Sequence, residues 1–113
     1  MTLQTDLTEF TGTLEYHKLT FSPMLATDGV KYFADKAKAY WLISDIAAVH
    51  YIKRRKYDFI TIKVVCDGNT ARAFYSDGDG NNFYKQEYTI TDLPQGEYKF
   101  FLTDDVLMLT SEY

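Results

Sequence analysis

Of all stretches in this sequence, YSDGDGNNFY (residues 75–84) comes closest to the spacing of oxygen-bearing side chains in a metal site. Asp77 and Asp79 take the first and third ligand positions of a calcium-binding EF-hand loop. Such a loop needs glycine at position six and a bidentate glutamate at position twelve, and here those positions hold Asn82 and Tyr88. Asp-Gly and Asn residues also suit the positive φ of a hairpin turn. The stretch therefore predicts a turn between strands, with a weak cation site as the alternative, and we expect no dedicated metal site.

The other residues with chemical potential do not form a catalytic pattern. His17 and His50 each lack a Cys, Asp or Glu at a spacing typical of a ligand pair or a catalytic triad. Cys66 is the single cysteine, which excludes an internal disulfide and every cysteine-based zinc pattern. Asp104 and Asp105 are adjacent and predict a tight turn between two β-rich runs. No P-loop, dinucleotide fingerprint or nucleophile elbow occurs, so we expect neither an enzyme nor a cofactor.

The basic run KRRK consists of four consecutive residues, Lys53, Arg54, Arg55 and Lys56. Four such residues can neutralise phosphates, and aromatic residues beside them can stack on unpaired bases. A nucleic-acid-binding accessory protein that uses this run is therefore one hypothesis. The net charge of −4 and the pI of about 5.0 oppose it. The same run is also a normal helix end, because cations complement the negative end of the helix dipole.

The composition is that of a globular domain, with 46% hydrophobic and 25% charged residues among 113. We expect one domain spanning residues 1–113. The N-terminus MTLQTDLTEF has neither a cationic nor an apolar signal region, and no apolar run is long enough to span a bilayer. We therefore expect a cytoplasmic protein that does not bind membranes.

Helices are predicted in the N-terminal half. TDLTEF can open a short helix with Thr5 as its N-cap and Gly12 as its stop. The clearest helical region starts at Thr27 or Asp28, and its apolar stripe changes phase, which indicates two helices or one helix broken near Lys38. Residues 13–21 are β-prone, and Ser22-Pro23 is expected to end them.

Five β-rich runs separated by turn signals follow Tyr57: FITIKVVC, TARAFYS, FYKQEYTI, EYKFFLT and VLMLT. They predict an α+β fold, in which an antiparallel meander of about five strands packs on one or two N-terminal helices. Alternation turns one apolar set toward the helices: Ile60, Ile62, Val64, Tyr98, Phe100 and Leu102. The opposite face is mixed, and Val65 and Phe101 with neighbouring tyrosines are expected to form a contact patch there of a few hundred Å².

Two segments carry a family resemblance. TDGVKYFADKAKAYWLISDIA resembles the T-D-G-V-K-Y-x-A-x-x-A-x-A-Y-W-L-I-x-x-I-A signature of a family of small uncharacterised proteins from bacterial mobile elements and prophages. FLTDDVLMLTSEY is similar to that family's C-terminal ending. In this chain Asp105 stands where the family usually has glycine, and Thr110 where it usually has proline. The resemblance covers most of the chain and implies no catalytic residues.

The resemblance suggests a non-enzymatic protein-binding module that inhibits a host defence system, as an anti-CRISPR protein does. Residues Tyr57 to Tyr113 carry a net charge of −6, whereas Met1 to Lys56 carry +2. An acidic surface can occupy a basic channel meant for nucleic acid. The expected partner is therefore a host protein or complex that processes nucleic acid, or a second copy of the chain. The expected contact residues are Asp77, Asp79, Phe101, Asp104 and Asp105.

Overall fold

The computed structural model describes residues 3–19, 22–53, 57–89, 91 and 93–113. These residues form three helices, seven strands and a final 3₁₀ turn, which in chain order are α1 (Leu3–Leu7), β1 (Tyr16–Leu19), β2 (Ser22–Thr27), α2 (Asp28–Ala37), α3 (Tyr40–Lys53), β3 (Phe59–Asp67), β4 (Thr70–Asp77), β5 (Asn82–Tyr88), β6 (Gly96–Thr103), β7 (Val106–Leu109) and η1 (Thr110–Glu112). No helix in these ranges is long and apolar enough to cross a membrane.

All seven strands form one sheet in the order β1-β2-β7-β6-β3-β4-β5. The α+β class is confirmed, but the antiparallel meander of about five strands is wrong in two ways. The sheet is mixed, because β2 and β7 run parallel through Leu25–Val106 and Ala26–Leu107. In addition, β6 pairs with β3 and not with β5. Alternate residues of β6 are buried, which is typical of a strand that has a neighbour on each side and one covered face. The more polar β5 lies at the edge of the sheet.

The two extra strands come from the N-terminal segment. β1 and β2 form an antiparallel hairpin, and β2 begins at Ser22, so Ser22-Pro23 does not end the β structure as predicted. The pairing shifts between Lys18 and Leu19, close to Pro23, which fits the preference of proline for irregular positions in a strand. Thr5 lies inside α1, which begins at Leu3, so its prediction as N-cap is wrong.

The helix layer follows the sequence prediction more closely. Thr27 caps α2, and its hydroxyl accepts a hydrogen bond from the backbone N–H of Val30 (3.4 Å). Lys38 ends the helix in the left-handed region (φ 52°), with its N–H bonded to the Ala34 carbonyl. The predicted break near Lys38 is thereby confirmed. Trp41 of α3 packs edge-on against Tyr88 of β5, with ring centroids 4.9 Å apart.

The predicted inner face of the sheet is confirmed. Its six residues are each at most 2% exposed: Ile60, Ile62, Val64, Tyr98, Phe100 and Leu102. Phe33 of α2 contacts two of their rings, with centroids 5.2 Å from Tyr98 and 5.3 Å from Phe100. The helices therefore cover this face of the sheet, and the opposite face, which we call the open face, carries the residues of the other parity.

The C-terminal turn is clasped to the start of α2. The Glu112 carboxylate accepts hydrogen bonds from the Thr27 hydroxyl (2.6 Å) and the backbone N–H groups of Gly29 (3.1 Å) and Leu109 (2.9 Å). A carboxylate at a helix N-terminus is further stabilised by the helix dipole. The two segments that carry the family resemblance, TDGV and SEY, thus meet in space, and we call this contact the Glu112 clasp.

Candidate functional site

The DGDGNN stretch forms the hairpin turn between β4 and β5, which confirms the predicted turn. The Asp77 carboxylate accepts hydrogen bonds from the backbone N–H groups of Asp79 (2.9 Å) and Asn81 (3.0 Å) and from the Asn81 side chain (3.3 Å). Gly80 supplies a positive φ of 87°. The N–H of Asn81 is the largest of the causes that lower the pKa of Asp77 below its ordinary value. The Asp77 carboxylate is therefore already hydrogen-bonded within its own turn.

Asp77→Asn is expected to flatten the loss of stability in acid. A lowered folded-state pKa means that the carboxylate contributes stability above the ordinary value of 3.8, and that this stability is lost as the pH falls through the lower folded value. Thermal melts from about pH 6 to about pH 2 measure the effect. Asp79→Asn is the matched control, because only the backbone N–H of Asp79 bonds to Asp77. Equal flattening in both variants would contradict the assignment.

Asp104 and Asp105 form the tight turn between β6 and β7, as predicted, and both have a positive φ (53° and 63°). The Asp105 carboxylate lies 2.7 Å from Nε2 of His50, a residue of α3 that is 5% exposed. Nδ1 of His50 has no hydrogen-bond partner among the described residues. The pair ties α3 to this turn, and sequence spacing could not reveal it because the two residues are 55 positions apart.

The variants Asp104→Gly and Asp105→Gly are expected to differ in melting temperature. The left-handed backbone conformation destabilises a non-glycine residue by about 1 kcal/mol, and glycine lacks this penalty. Asp104→Gly is therefore expected to leave the melting temperature unchanged or to raise it. Asp105→Gly relieves the same strain but leaves the buried His50 ring without its partner, which costs about 1–3 kcal/mol. We expect its melting temperature to fall below that of Asp104→Gly. Thermal melts at neutral pH decide this, and the reverse order would contradict a stabilising His50–Asp105 bond.

The two aspartate turns lie at the same end of the sheet. Ile60, near the start of β3, pairs with Asp77 on one side and with Leu102 on the other. Asp58 precedes β3 at this same end and is exposed. Among the described residues, the carboxylates of Asp79 and Asp104 have no hydrogen-bond or ion-pair partner, and both residues are exposed. The acidic contact residues predicted from the sequence are thus brought together, but Asp77 and Asp105 are engaged within the protein.

Three aromatic rings cluster on the open face beside these turns. The ring centroids of Phe59 and Phe101 are 5.1 Å apart, and Tyr113 lies edge-on to both, at 5.7 Å and 5.3 Å. Phe59 and Phe101 are partly buried, whereas Tyr113 is 76% exposed. The sequence prediction included Phe101 and missed Phe59, although strand alternation places Phe59 on the same face. We call this cluster, together with Asp58, Asp79 and Asp104, the aromatic–acidic patch.

The rest of the open face differs from the patch. Lys63 pairs with Glu97 (2.8 Å) in the middle of the face. Thr61 of β3 pairs with Phe101, and Val65 lies four residues further along β3. Val65 is therefore about 13 Å from Thr61 and does not join the aromatic cluster. A groove of about 660 Å³ crosses this face, and its lining includes Phe101, Lys63 and Lys99. Phe101 is therefore part of the aromatic cluster and Val65 lies outside it, and the contact role of this face stays a prediction.

The other residues considered as candidates from the sequence, which are His17, Cys66 and the basic run, lie outside the aromatic–acidic patch. His17 Nε2 lies 2.8 Å from the Asp28 carboxylate, again a long-range pair that spacing did not show. Cys66 is buried, its Sγ lies 3.2 Å from the Leu93 carbonyl, and burial raises the pKa of its thiol, which disfavours the nucleophilic thiolate. Within the described ranges, no group of three His, Cys, Asp or Glu residues is arranged to hold a metal ion. The basic run at residues 53–56 lies outside the described residues, apart from the backbone of Lys53.

Comparison with known proteins gives a family and no activity. A family model described as "Family of unknown function (DUF6876)" matches residues 1–113. No curated protein and no solved structure matches the chain. The function must therefore be inferred from the geometry of the site.

Proposed function

Since the chain belongs to the DUF6876 family, whose description assigns no activity, we propose from its surface that it is a non-enzymatic protein-binding module. The observation that carries this proposal is the aromatic–acidic patch. Its three rings lie in mutual contact on a sheet face that the helices do not cover, and Tyr113 is mostly exposed. Aromatic side chains are among the residues that are enriched at protein interfaces and that anchor them.

The charge on the turn side of the rings indicates the kind of partner, whereas Lys63 and Lys99 line the groove on the other side of Phe101. Asp79 and Asp104 project from turns beside the cluster and are exposed, as is Asp58. Carboxylates around an apolar centre favour a partner with a positively charged surface, because complementary potentials speed encounter and exclude wrong partners. Proteins that process nucleic acid have such surfaces in their binding channels.

The partner in this proposal is a host protein of that kind, and the chain acts by occupying its surface. The resemblance of TDGVKYFADKAKAYWLISDIA to proteins of mobile elements and prophages supports a role against host defence, as in an anti-CRISPR protein. Binding to nucleic acid through Lys53, Arg54, Arg55 and Lys56 remains the alternative hypothesis, and no contact in the described residues favours it.

Capture from a lysate of the host cell tests the proposal. The immobilised protein is expected to retain a discrete basic protein in near-stoichiometric amount at low salt, and to lose part of it as salt rises, because the acidic rim is exposed. Nuclease treatment separates the alternatives, since a complex bridged by nucleic acid disappears. Recovery of no protein at moderate salt contradicts the proposal, and salt-dependent binding to bare oligonucleotides would favour the basic run.

A further inference from the structure

A second surface feature lies on the other side of the sheet, between α3 and the β4–β5 hairpin. It is a cavity of about 420 Å³ that opens to solvent. Helix α3 and the two strands each contribute to its lining, with Asp45, Val49 and Ile52 from the helix and Tyr75, Tyr84 and Gln86 from the strands. Its volume is within the range typical of small-molecule sites.

Tyr75 is one of the residues that line this cavity, and its buried hydroxyl is not satisfied by the fold. The residue is 1% exposed, and its hydroxyl oxygen has no hydrogen-bond partner among the described residues. A buried hydroxyl without a partner destabilises the folded state, whereas phenylalanine would fill the same space without that cost. The position therefore carries a polar group that packing alone does not require.

The cavity is negatively charged. Asp45 stands at its rim, where its carboxylate accepts a hydrogen bond from the Tyr88 hydroxyl (2.7 Å). The pKa of Tyr75 is raised, first by burial and then by the negative charge of Asp45. None of the described lining residues is cationic. A ligand that enters this space meets the Asp45 carboxylate, and the unpartnered Tyr75 hydroxyl is buried in the cavity wall.

The remaining walls are aromatic and aliphatic. The rings of Tyr75 and Tyr84 lie edge to face, with centroids 5.5 Å apart. The face of an aromatic ring carries partial negative charge and attracts cations. Ile52 is 73% exposed and, with Val49, forms an apolar wall that a hydrocarbon body can cover.

We propose that this cavity binds a small protonated amine with an apolar body. The ammonium group lies near the Asp45 carboxylate and the Tyr75 hydroxyl, and the apolar body rests on Val49 and Ile52. The ammonium donates to the carboxylate and to the hydroxyl oxygen, so both polar groups gain a partner. This site goes beyond the proposed function, because the helix side of the sheet carries it and the aromatic–acidic patch lies on the open face.

The test uses three probes of similar size and different charge: phenethylamine, 2-phenylethanol and phenylacetate. Each is titrated into isotope-labelled protein while backbone amide shifts are recorded. We expect saturable shifts with phenethylamine, centred on Asp45, Val49, Tyr75 and Tyr84, and at least about tenfold weaker binding of the neutral and anionic probes. Absence of saturable shifts, or equal affinity for all three probes, would overturn the proposal.

Two variants locate the interaction. Asp45→Asn removes the charge, and Tyr75→Phe removes only the hydroxyl; each is expected to weaken phenethylamine binding at least about tenfold. Asp67→Asn, at an exposed aspartate that ends β3 and does not line the cavity, is expected to bind as the wild type does. Tyr75→Phe is also expected to melt no lower than the wild type, because its hydroxyl lacks a partner in the free protein. Unchanged affinity in Asp45→Asn would overturn the site, whereas partner capture through the open face is unaffected by either variant.

Discussion

Gly29→Ala is expected to lower the free energy of unfolding by about 2 kcal/mol, because the added methyl group would occupy the space of the Glu112 clasp. A Cβ at position 29 would lie 2.5 Å from Leu109 Cδ1 and 2.6 Å from Glu112 Oε1. Alanine gains about 1 kcal/mol in helix propensity over glycine. Displacement of the carboxylate, which accepts three hydrogen bonds, and of the buried Leu109 side chain is expected to exceed that gain.

Chemical denaturation measures the change, and Gly12→Ala is the matched control. No atom lies within 4 Å of a Cβ at Gly12, so this control is expected to be nearly neutral. The double variant Gly29→Ala/Glu112→Ala gives a sharper test. If the methyl group acts by displacing Glu112, the second substitution costs much less in the Gly29→Ala background than in the wild type. Fully additive effects would show that the clasp is not the cause.

Phe101→Asp is expected to weaken partner binding at least about thirtyfold while the domain stays folded, because aromatic anchors at interface centres contribute about 2 kcal/mol or more. Phe101 is partly buried against Phe59 and Tyr113 on the open face, and the helix-covered core does not include it. Competition binding with the captured partner measures the affinity, and circular dichroism monitors the fold.

Val65→Asp is the same-face control for that experiment. It introduces the same charge on the same sheet face, four positions along β3 from the residue that pairs with Phe101. Its affinity for the partner is expected to stay within a few-fold of the wild type. If Phe101→Asp unfolds the domain, Phe101 is a core residue and the patch assignment is wrong. If both variants lose binding equally, the contact covers the whole open face and the aromatic cluster is not its anchor.

Local patterns predicted much of the fold. Strand alternation identified the buried set on β3 and β6, because a shift of one residue would expose the entire set. The phase change of the apolar stripe located the helix break, which the structure assigns to the left-handed Lys38. Asp-Gly and Asn residues identified the β4–β5 turn. Each of these features depends on residues close together in the chain.

The features that the sequence did not reveal depend on distant residues. The parallel pair of β2 and β7 joins the two ends of the chain, and turn signals predict only neighbours that follow each other. The pairs His17–Asp28 and His50–Asp105 are 11 and 55 positions apart. The Glu112 clasp closes over 85 positions between Thr27 and Glu112. Spacing rules for ligands and triads contain no information about contacts of this kind.

The candidate site was predicted in part for the same reason. Phe101, Asp79 and Asp104 were identified from alternation and turn composition, and the fold brings them to one end of the sheet. Tyr113 could not be assigned to this end, because its position depends on how η1 packs after β7. Asp77 and Asp105 were predicted as contact residues, yet their carboxylates are used by Asn81 and His50.

Hydrogen–deuterium exchange on the captured complex shows whether the partner binds at the aromatic–acidic patch. We predict slower amide exchange in residues 57–61, 78–81 and 99–113 when the partner is bound, with no change at the other end of β3 and β4 (residues 63–72) or in α2 and α3. Protection confined to the helix layer, or no difference between the free and bound protein, would contradict binding at this patch.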